Sequence, residues 1–385
     1  MHNESSCLQV TKRWRHRHFG DIPANCTQPS GASNKKTDPQ NMENASEDVR
    51  NQLKMAFNVL KGAEDAKLRF LPISSILDRM NEIAQETWEA PSNRLELGQA
   101  ACDVLRSEGV IDFVLNNTNI KGIELSCAKL LKSSLLTEEN REYVVNGCLK
   151  QAIALADSVS KNCDQEPQCC RAATGIVELL LDYSEKACSE IVDLGGLDII
   201  LQGCRKTDVY VLQHCSRAIA NLSLYGNGGV FSVMSQKRVP MWLYPLAFYS
   251  DIEVKYYALL AATAMYSRGF LAGSERAHIL DLIEKFATTQ QPTDPALVEQ
   301  LIRTGHRSSW LKALIPSMAS VLPELRMLGS FHFCMEAKVK KCQGDASLFN
   351  EIGAIQHLKV VVSNNYPIAS GFASEALQLL GENTP

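Results

Sequence analysis

The stretch "VDLGGLDIILQGCRKTDVYVLQHCSRAIANLSLYGN", Val192 to Asn227, decides the fold. It opens on two glycines and a short apolar run, turns through the polar "CRKTD", and continues as a longer apolar segment. In that segment Val211, Leu212, Cys215, Ile219 and Leu222 recur at three- and four-residue spacing, which puts them on one face of a helix. The glycine at the head suits a left-handed turn, a conformation cheap only without a Cβ. Alone, the stretch fits either a helical hairpin in a globular domain or one unit of an array.

Internal copies favour the array over a non-repetitive helical bundle. "SEGVIDFVLN" begins at Ser107, "LGGLDIILQG" at Leu194 and "EIGAIQHLKVVV" at Glu351, with a weaker copy, "VNGCLKQAIAL", at 145–155. Each has a glycine, a small or branched apolar residue and an amphipathic run. After Glu351 the polar loop "SNNYPI" and the helix "ASGFASEALQLLGEN" repeat the order seen after Leu194. A period of about 40 to 50 residues in an all-helical chain is that of armadillo or HEAT units. No such unit buries its own apolar face; stacking does, and leaves a concave surface for a ligand. The expectation is an all-α, right-handed superhelical solenoid of about eight repeats over 49–385, with a disordered tail over 1–48.

Composition agrees. The chain has 385 residues, is 45% hydrophobic and 21% charged, and carries a net charge of -4, which supplies no basic field to recruit nucleic acid. No run approaches the roughly 18–20 apolar residues of a membrane span. Thirteen scattered cysteines, with no C-x-x-C pair and no secretory leader, read as reduced core residues of a cytoplasmic protein rather than as disulfides or a zinc site. The tail is rich in Ser, Asn, Pro and Lys; its cluster "KRWRHRHF" at 12–19 reads as a solvated basic segment more readily than as a nucleic-acid or lipid contact.

Enzyme signatures are lacking: no G-x-S-x-G, H-E-x-x-H or P-loop occurs. "YGNGGV" at 225–230 follows a helix rather than a strand and reads as a turn. His214 reads as a packing or surface residue and His332 as a satisfied core histidine. Asn221, in "IANLS", stands where peptide-binding armadillo arrays place an asparagine ladder, but "CAKLLKSSLL" and "EALQLLGE" do not continue the ladder, so a peptide groove is disfavoured.

Basic and aromatic residues recur near the starts of several units: Trp88, Arg94, Arg141, Arg171, His306 and Arg307. Guanidinium forks pair bidentately with phosphate and an indole offers a plate to a heterocycle, so the inventory suits a nucleotide. The bland alternative makes Trp88 core and the arginines solvated caps.

Several stretches carry a closer resemblance. "GGLDIILQGCRKTD", "LQHCSRAIANLSLYG", "KRVPMWLYPLAF" and "EIGAIQHLKVVVS…ALQLLGENTP" resemble the armadillo region of the sterile-alpha-and-TIR-motif (SARM) NAD hydrolase family, from about Leu53 to the last residue. The resemblance implies a regulatory region that binds NAD as inhibitor or NMN as activator, both as allosteric ligands in one concave pocket. It implies a role in autoinhibition, axon degeneration and innate immune signalling, in a cytoplasmic, axonal or mitochondria-associated setting. In the family, catalysis belongs to a TIR domain and octamer assembly to SAM domains. This chain ends before both, so it is expected to be no enzyme by itself, and a monomer. The family's stacking Trp falls on Trp88. Its pocket arginines fall beside Arg94, which sits one position early, and on Arg141. Its "RxxxGIxE" helix falls on Arg171 and Glu178. Asp182 replaces a family lysine, Tyr183 lines the same wall, and a shortened loop brings His306 and Arg307. The alternative is an armadillo protein-interaction scaffold with no small-molecule ligand.

Overall fold

The computed structural model describes residues 39–65, 73–90, 93–117, 122–181, 185–289, 298, 301, 310–344, 346–363 and 366–382. The chain divides into two units, 1–44 and 45–385. All described regular structure is helical.

The copies in the sequence are the junctions of three-helix units. Helices α1 (Pro39–Asp65) and α2 (Ile73–Glu89) come first. Six triplets follow: α3 (Arg94–Ser107), α4 (Val110–Asn116) and α5 (Glu124–Ser134); α6 (Glu138–Gly147), α7 (Leu149–Ser160) and α8 (Pro167–Leu181); α9 (Glu185–Asp193), α10 (Gly196–Gly203) and α11 (Val209–Tyr225). Then come α12 (Gly228–Gln236), α13 (Val239–Ala247) and α14 (Ile252–Ser267); α15 (Gly273–Thr289), α16 (Leu311–Met318) and α17 (Pro323–Gln343); and α18 (Ser347–Glu351), α19 (Ala354–Val362) and α20 (Pro367–Leu379).

The third helix of each triplet packs on those before and after it, α2 on α5, α5 on α8, α8 on α11, α11 on α14 and α17 on α20, forming a continuous layer. This is the armadillo arrangement. Its cause is visible in α11, where the five residues expected on one face are all buried. In α14 the run "ALLAATAM" is buried throughout, which lets neighbouring helices close in on both sides. One core runs from Leu53 to Leu377 without a break. Each fully buried Leu or Ile contributes about 1.5–3 kcal/mol to the stacking.

The turn between first and second helix is set by backbone handedness. Gly109, Gly195 and Gly353 precede α4, α10 and α19 with φ of 82°, 88° and 71°. Arg238 holds the same place before α13 with φ 55°. At the weak copy, Cys148 joins α6 to α7 with φ -143°, so this junction needs no glycine. Asp208 and Asp251 start α11 and α14 by accepting two backbone N–H bonds each.

One expectation needs correcting. Helix α1 begins at Pro39, inside the tail expected to be disordered to residue 48; Leu53, Phe57 and Leu60 anchor it, and residues 43–48 are largely exposed. The rest of the expected tail lies outside the described residues. The described helices group as six triplets and one helix pair, with residues 298 and 301 also helical; most of 290–309 lies outside the described residues, so the expected count of about eight is not decided by them.

Candidate functional site

Four of the expected site residues, Trp88, Arg141, Arg171 and Glu178, lie near residues of the last turn of α5 or its end. On one side lies Trp88, in the last turn of α2. Its indole rests flat on α3 at Gly98: a Cβ there would lie 2.5 Å from Cδ2 and 2.7 Å from Cζ2. Only glycine leaves room for the ring. Trp88 is part-exposed, yet its Nε1 is buried beside Cys102 without a hydrogen-bond partner. Burial pushes the Cys102 thiol up to about 12, so it stays a neutral, weak partner, and its Sγ points to the Ser133 carbonyl at 3.7 Å. Ser133 in turn donates to Asn81 at 2.7 Å, tying α5 to α2.

Arg94 is the first residue of α3, one turn before Gly98, so it shares the face on which Trp88 lies. It has no hydrogen-bond or ion-pair partner among the described residues. The helix start at Asn93 carries no side-chain cap, and Asn93 is held at φ 60°. A cation at an uncapped helix N-terminus is unfavourable by about 0.3–1 kcal/mol, and an anion placed there relieves it.

The other arginines are engaged. Arg141 is buried, and its Nη1 donates to the carbonyls of Leu135 and Leu136 at 3.0 and 3.2 Å, capping the C-terminal end of α5. Arg171 forms a fork on Asp208, with Nε–Oδ2 2.9 Å and Nη2–Oδ2 2.5 Å, and lies 4.6 Å from the Tyr210 ring. Asp208 at once caps α11, so Arg171 serves the joint between two units. Neither side chain presents an open fork to a phosphate.

Glu178 is buried on α8 and faces α11. His214 Nδ1 stands 3.1 Å from its Oε2, and Arg217 Nε 3.5 Å from its Oε1. Arg217 then donates to Glu253 on α14 at 2.7 Å. Burial pushes His214 down to about 3, so it is neutral at pH 7. Arg217, joined by His214 and Lys132, holds the Glu178 carboxyl below its ordinary range against its burial. His214 Nδ1 thus sits between the Glu178 carboxylate, which only accepts, and Arg217 Nη2 at 3.2 Å, which only donates. His214 Nε2 faces Gly175, 3.2 Å from where a Cβ would stand.

Sequence reasoning missed Lys132. Its stem crosses Gly175, with Cε and Cδ 2.7 and 2.8 Å from the position of an added Cβ. Burial holds its ammonium down to about 8, against the opposing pull of the Glu178 carboxylate. The clue was a glycine inside "RAATGIVE", where a helix interior gains from any other residue. His214 was expected to pack or face solvent and is instead a buried polar partner. His332 is buried in α17 beside Tyr256 and Trp310, as expected of a core histidine. Tyr183, His306 and Arg307 lie outside the described residues. Among the described residues no cluster of metal-ligating side chains occurs, and no helix is long and apolar enough to cross a membrane.

No family model matches the chain. It is 41% identical over 313 residues to the NAD(+) hydrolase sarm1 of Drosophila melanogaster, covering 81% of this chain and 23% of that protein. It is 29% identical to the NAD(+) hydrolase SARM1 of Danio rerio, over 79% of this chain and 43% of that protein. It is also 29% identical to the NAD(+) hydrolase tir-1 of Caenorhabditis elegans, over 80% of this chain and 32% of that protein. The chain thus spans less than half the length of these curated relatives. Among solved structures, a designed armadillo repeat protein in complex with the peptide (KR)4 is similar, with TM-score 0.35, 13% identity, and coverage of 79% of this chain and 98% of that one. An engineered protein has TM-score 0.46 and 14% identity, with coverage of 91% and 97%. The fold assignment rests on the helix triplets themselves. With that fold and the sequence identity over four-fifths of its length, the armadillo solenoid of this chain is a relative of part of the SARM-type NAD(+) hydrolases.

Proposed function

We propose that this solenoid is a nucleotide-sensing regulatory region, in which NAD and NMN compete for one site on the third-helix layer. The observation that carries the reading is the pairing of Trp88, laid flat on Gly98, with Arg94, unpartnered among the described residues, one turn away from Gly98 on the same helix. An aromatic plate beside an open cation at an uncapped helix start suits a heterocycle joined to a phosphate. The nicotinamide ring stacks on Trp88, and the phosphate takes Arg94 and the first N–H groups of α3. Arg141 and Arg171 then hold the wall of the site rather than the ligand.

Regulation requires the two nucleotides to prefer different arrangements of the units, because a ligand with equal affinity for both shifts nothing. In this reading NAD holds an associated TIR domain inactive, NMN releases it, and SAM domains supply the octamer. NAD loss in axons and in innate immune signalling follows from release. In this reading catalysis belongs to the TIR domain, and this region acts in the cytoplasm as a monomer.

Thermal melting of the chain tests the reading. At a hundred times the dissociation constant, either nucleotide adds about 2.7 kcal/mol to the native state and raises the midpoint. A flat response to both at millimolar concentration overturns it and favours a protein-interaction scaffold.

A further inference from the structure

The third triplet holds two cysteines in contact: Cys204, directly after α10, and Cys215, in the middle of α11. One backbone atom gathers them. The Ile200 carbonyl accepts the Cys204 N–H at 2.9 Å and the Cys215 thiol at 3.3 Å. The two thiols are also hydrogen-bonded to each other. Gly203 makes the approach possible. It ends α10 outside the left-handed region, so its backbone does not call for glycine. A Cβ there would stand 2.6 Å from Cys215 Sγ and 2.8 Å from Thr174 Cγ2. A glycine in a helix is destabilising, and what this one makes room for is the Cys215 sulfur.

Other cysteines of the chain behave as small apolar residues. Cys102 and Cys188 are buried and point their sulfurs at the single carbonyls of Ser133 and Leu181. Cys163 and Cys170 hydrogen-bond to each other, but both are buried. Only the third-triplet pair joins a part-exposed thiol, Cys204, to a fully buried one, Cys215, among these contacts. Burial pushes the Cys215 thiol well above its ordinary value, so the accessible Cys204 is the sulfur that reacts first.

We propose that Cys204 and Cys215 are an oxidisable dithiol, a modification site at which a hydroperoxide closes a disulfide between α10 and α11. The Cys204 thiolate attacks one peroxide oxygen: an S–O bond forms, the O–O bond breaks, and the leaving alkoxide or hydroxide takes up the proton that Cys204 released. The sulfur is oxidised to a sulfenic acid and the peroxide is reduced to an alcohol or water. The Cys215 sulfur then attacks that of Cys204: the S–S bond forms, the S–O bond breaks, and the departing hydroxide leaves with the Cys215 proton as water. The disulfide pins α11 to the second helix of its own unit beside His214. That histidine belongs to the polar line of Glu178, His214, Arg217 and Glu253, which joins α8, α11 and α14. Oxidation therefore stiffens the third triplet where its neighbours dock on it, and no nucleotide takes part.

The test is peptide mapping by mass spectrometry of the full, folded chain before and after hydrogen peroxide, with remaining thiols alkylated and no reductant present. Cys342, exposed near the end of α17, reports that the peroxide has acted. We expect most chains to yield a linked Cys204–Cys215 peptide pair, lighter by two hydrogen atoms than the reduced peptides and separated by dithiothreitol. Cys215→Ser should abolish the link and leave Cys204 as a sulfenic acid that dimedone captures. Cys204→Ser, at the part-exposed position, should abolish the link and leave Cys215 free, and it serves if the Cys215 variant does not fold. Cys204 and Cys215 both remaining free while Cys342 is oxidised overturns the proposal, as does Cys215 linked instead to Cys163 or Cys170.

Discussion

Gly98→Ala is the sharpest perturbation of the site, because it touches nothing but the seat of the tryptophan. An added Cβ would sit 2.5 Å from Trp88 Cδ2, against a comfortable carbon–carbon separation of about 3.5–4.0 Å. The ring must move away by roughly 1 Å or tilt. Overpacking of this kind costs about 1–3 kcal/mol, offset by roughly 0.5–1 kcal/mol from replacing a helical glycine with alanine. Net stability in urea should therefore fall by about 1–2 kcal/mol. Stacking of a base on an aromatic ring is worth about 1–3 kcal/mol; losing half of it weakens NMN roughly tenfold at the upper end. Gly62→Ala is the control: it lies exposed in α1 with nothing within 4 Å of its Cβ position, and should be neutral or slightly stabilising. Urea denaturation and calorimetric titration with NMN read both quantities. If Gly98→Ala behaves like Gly62→Ala in both, the indole does not lie on Gly98 and the site has no plate.

Other consequences follow from the polar line and the turns. His214 is neutral in the fold, where its pKa is pushed down to about 3 from an ordinary 6.5. The unfolded chain therefore binds the extra proton first, and stability falls as pH drops below about 6.5. Between pH 8 and pH 5 the loss should be about 2 kcal/mol, and denaturant titrations of His214→Gln should lack it. Arg217→Met strips the counter-charge from Glu178 and Glu253, both buried. Urea titration should register a loss of about 3–5 kcal/mol, against under about 1 kcal/mol if the ion pairs were surface-like. Arg238→Gly places glycine where φ is 55° and should raise stability by about 0.5–1 kcal/mol in the same assay.

The fold was legible where local physics speaks alone. The buried face of α11 follows from residue spacing, and Gly109, Gly195 and Gly353 mark the junctions because a positive φ is cheap only for glycine. Arg238 does the same job and hid the junction before α13, since nothing in an arginine announces a left-handed backbone. In the site, residue types suggested a nucleotide but not which cations are open. That depends on partners in other units: Asp208 takes Arg171, and carbonyls of α5 take Arg141. Lys132 and Gly175 meet only when α5 packs on α8, so neither signals the other along the chain.

The central claim is that a nucleotide binds beside Trp88 and Arg94. Calorimetric titration of NMN into the full chain and its Trp88→Ala and Arg94→Ala variants tests it most directly. The account predicts one-to-one binding by the unaltered chain and at least a tenfold loss in each variant. Absent binding, or binding that both variants retain in full, would contradict it.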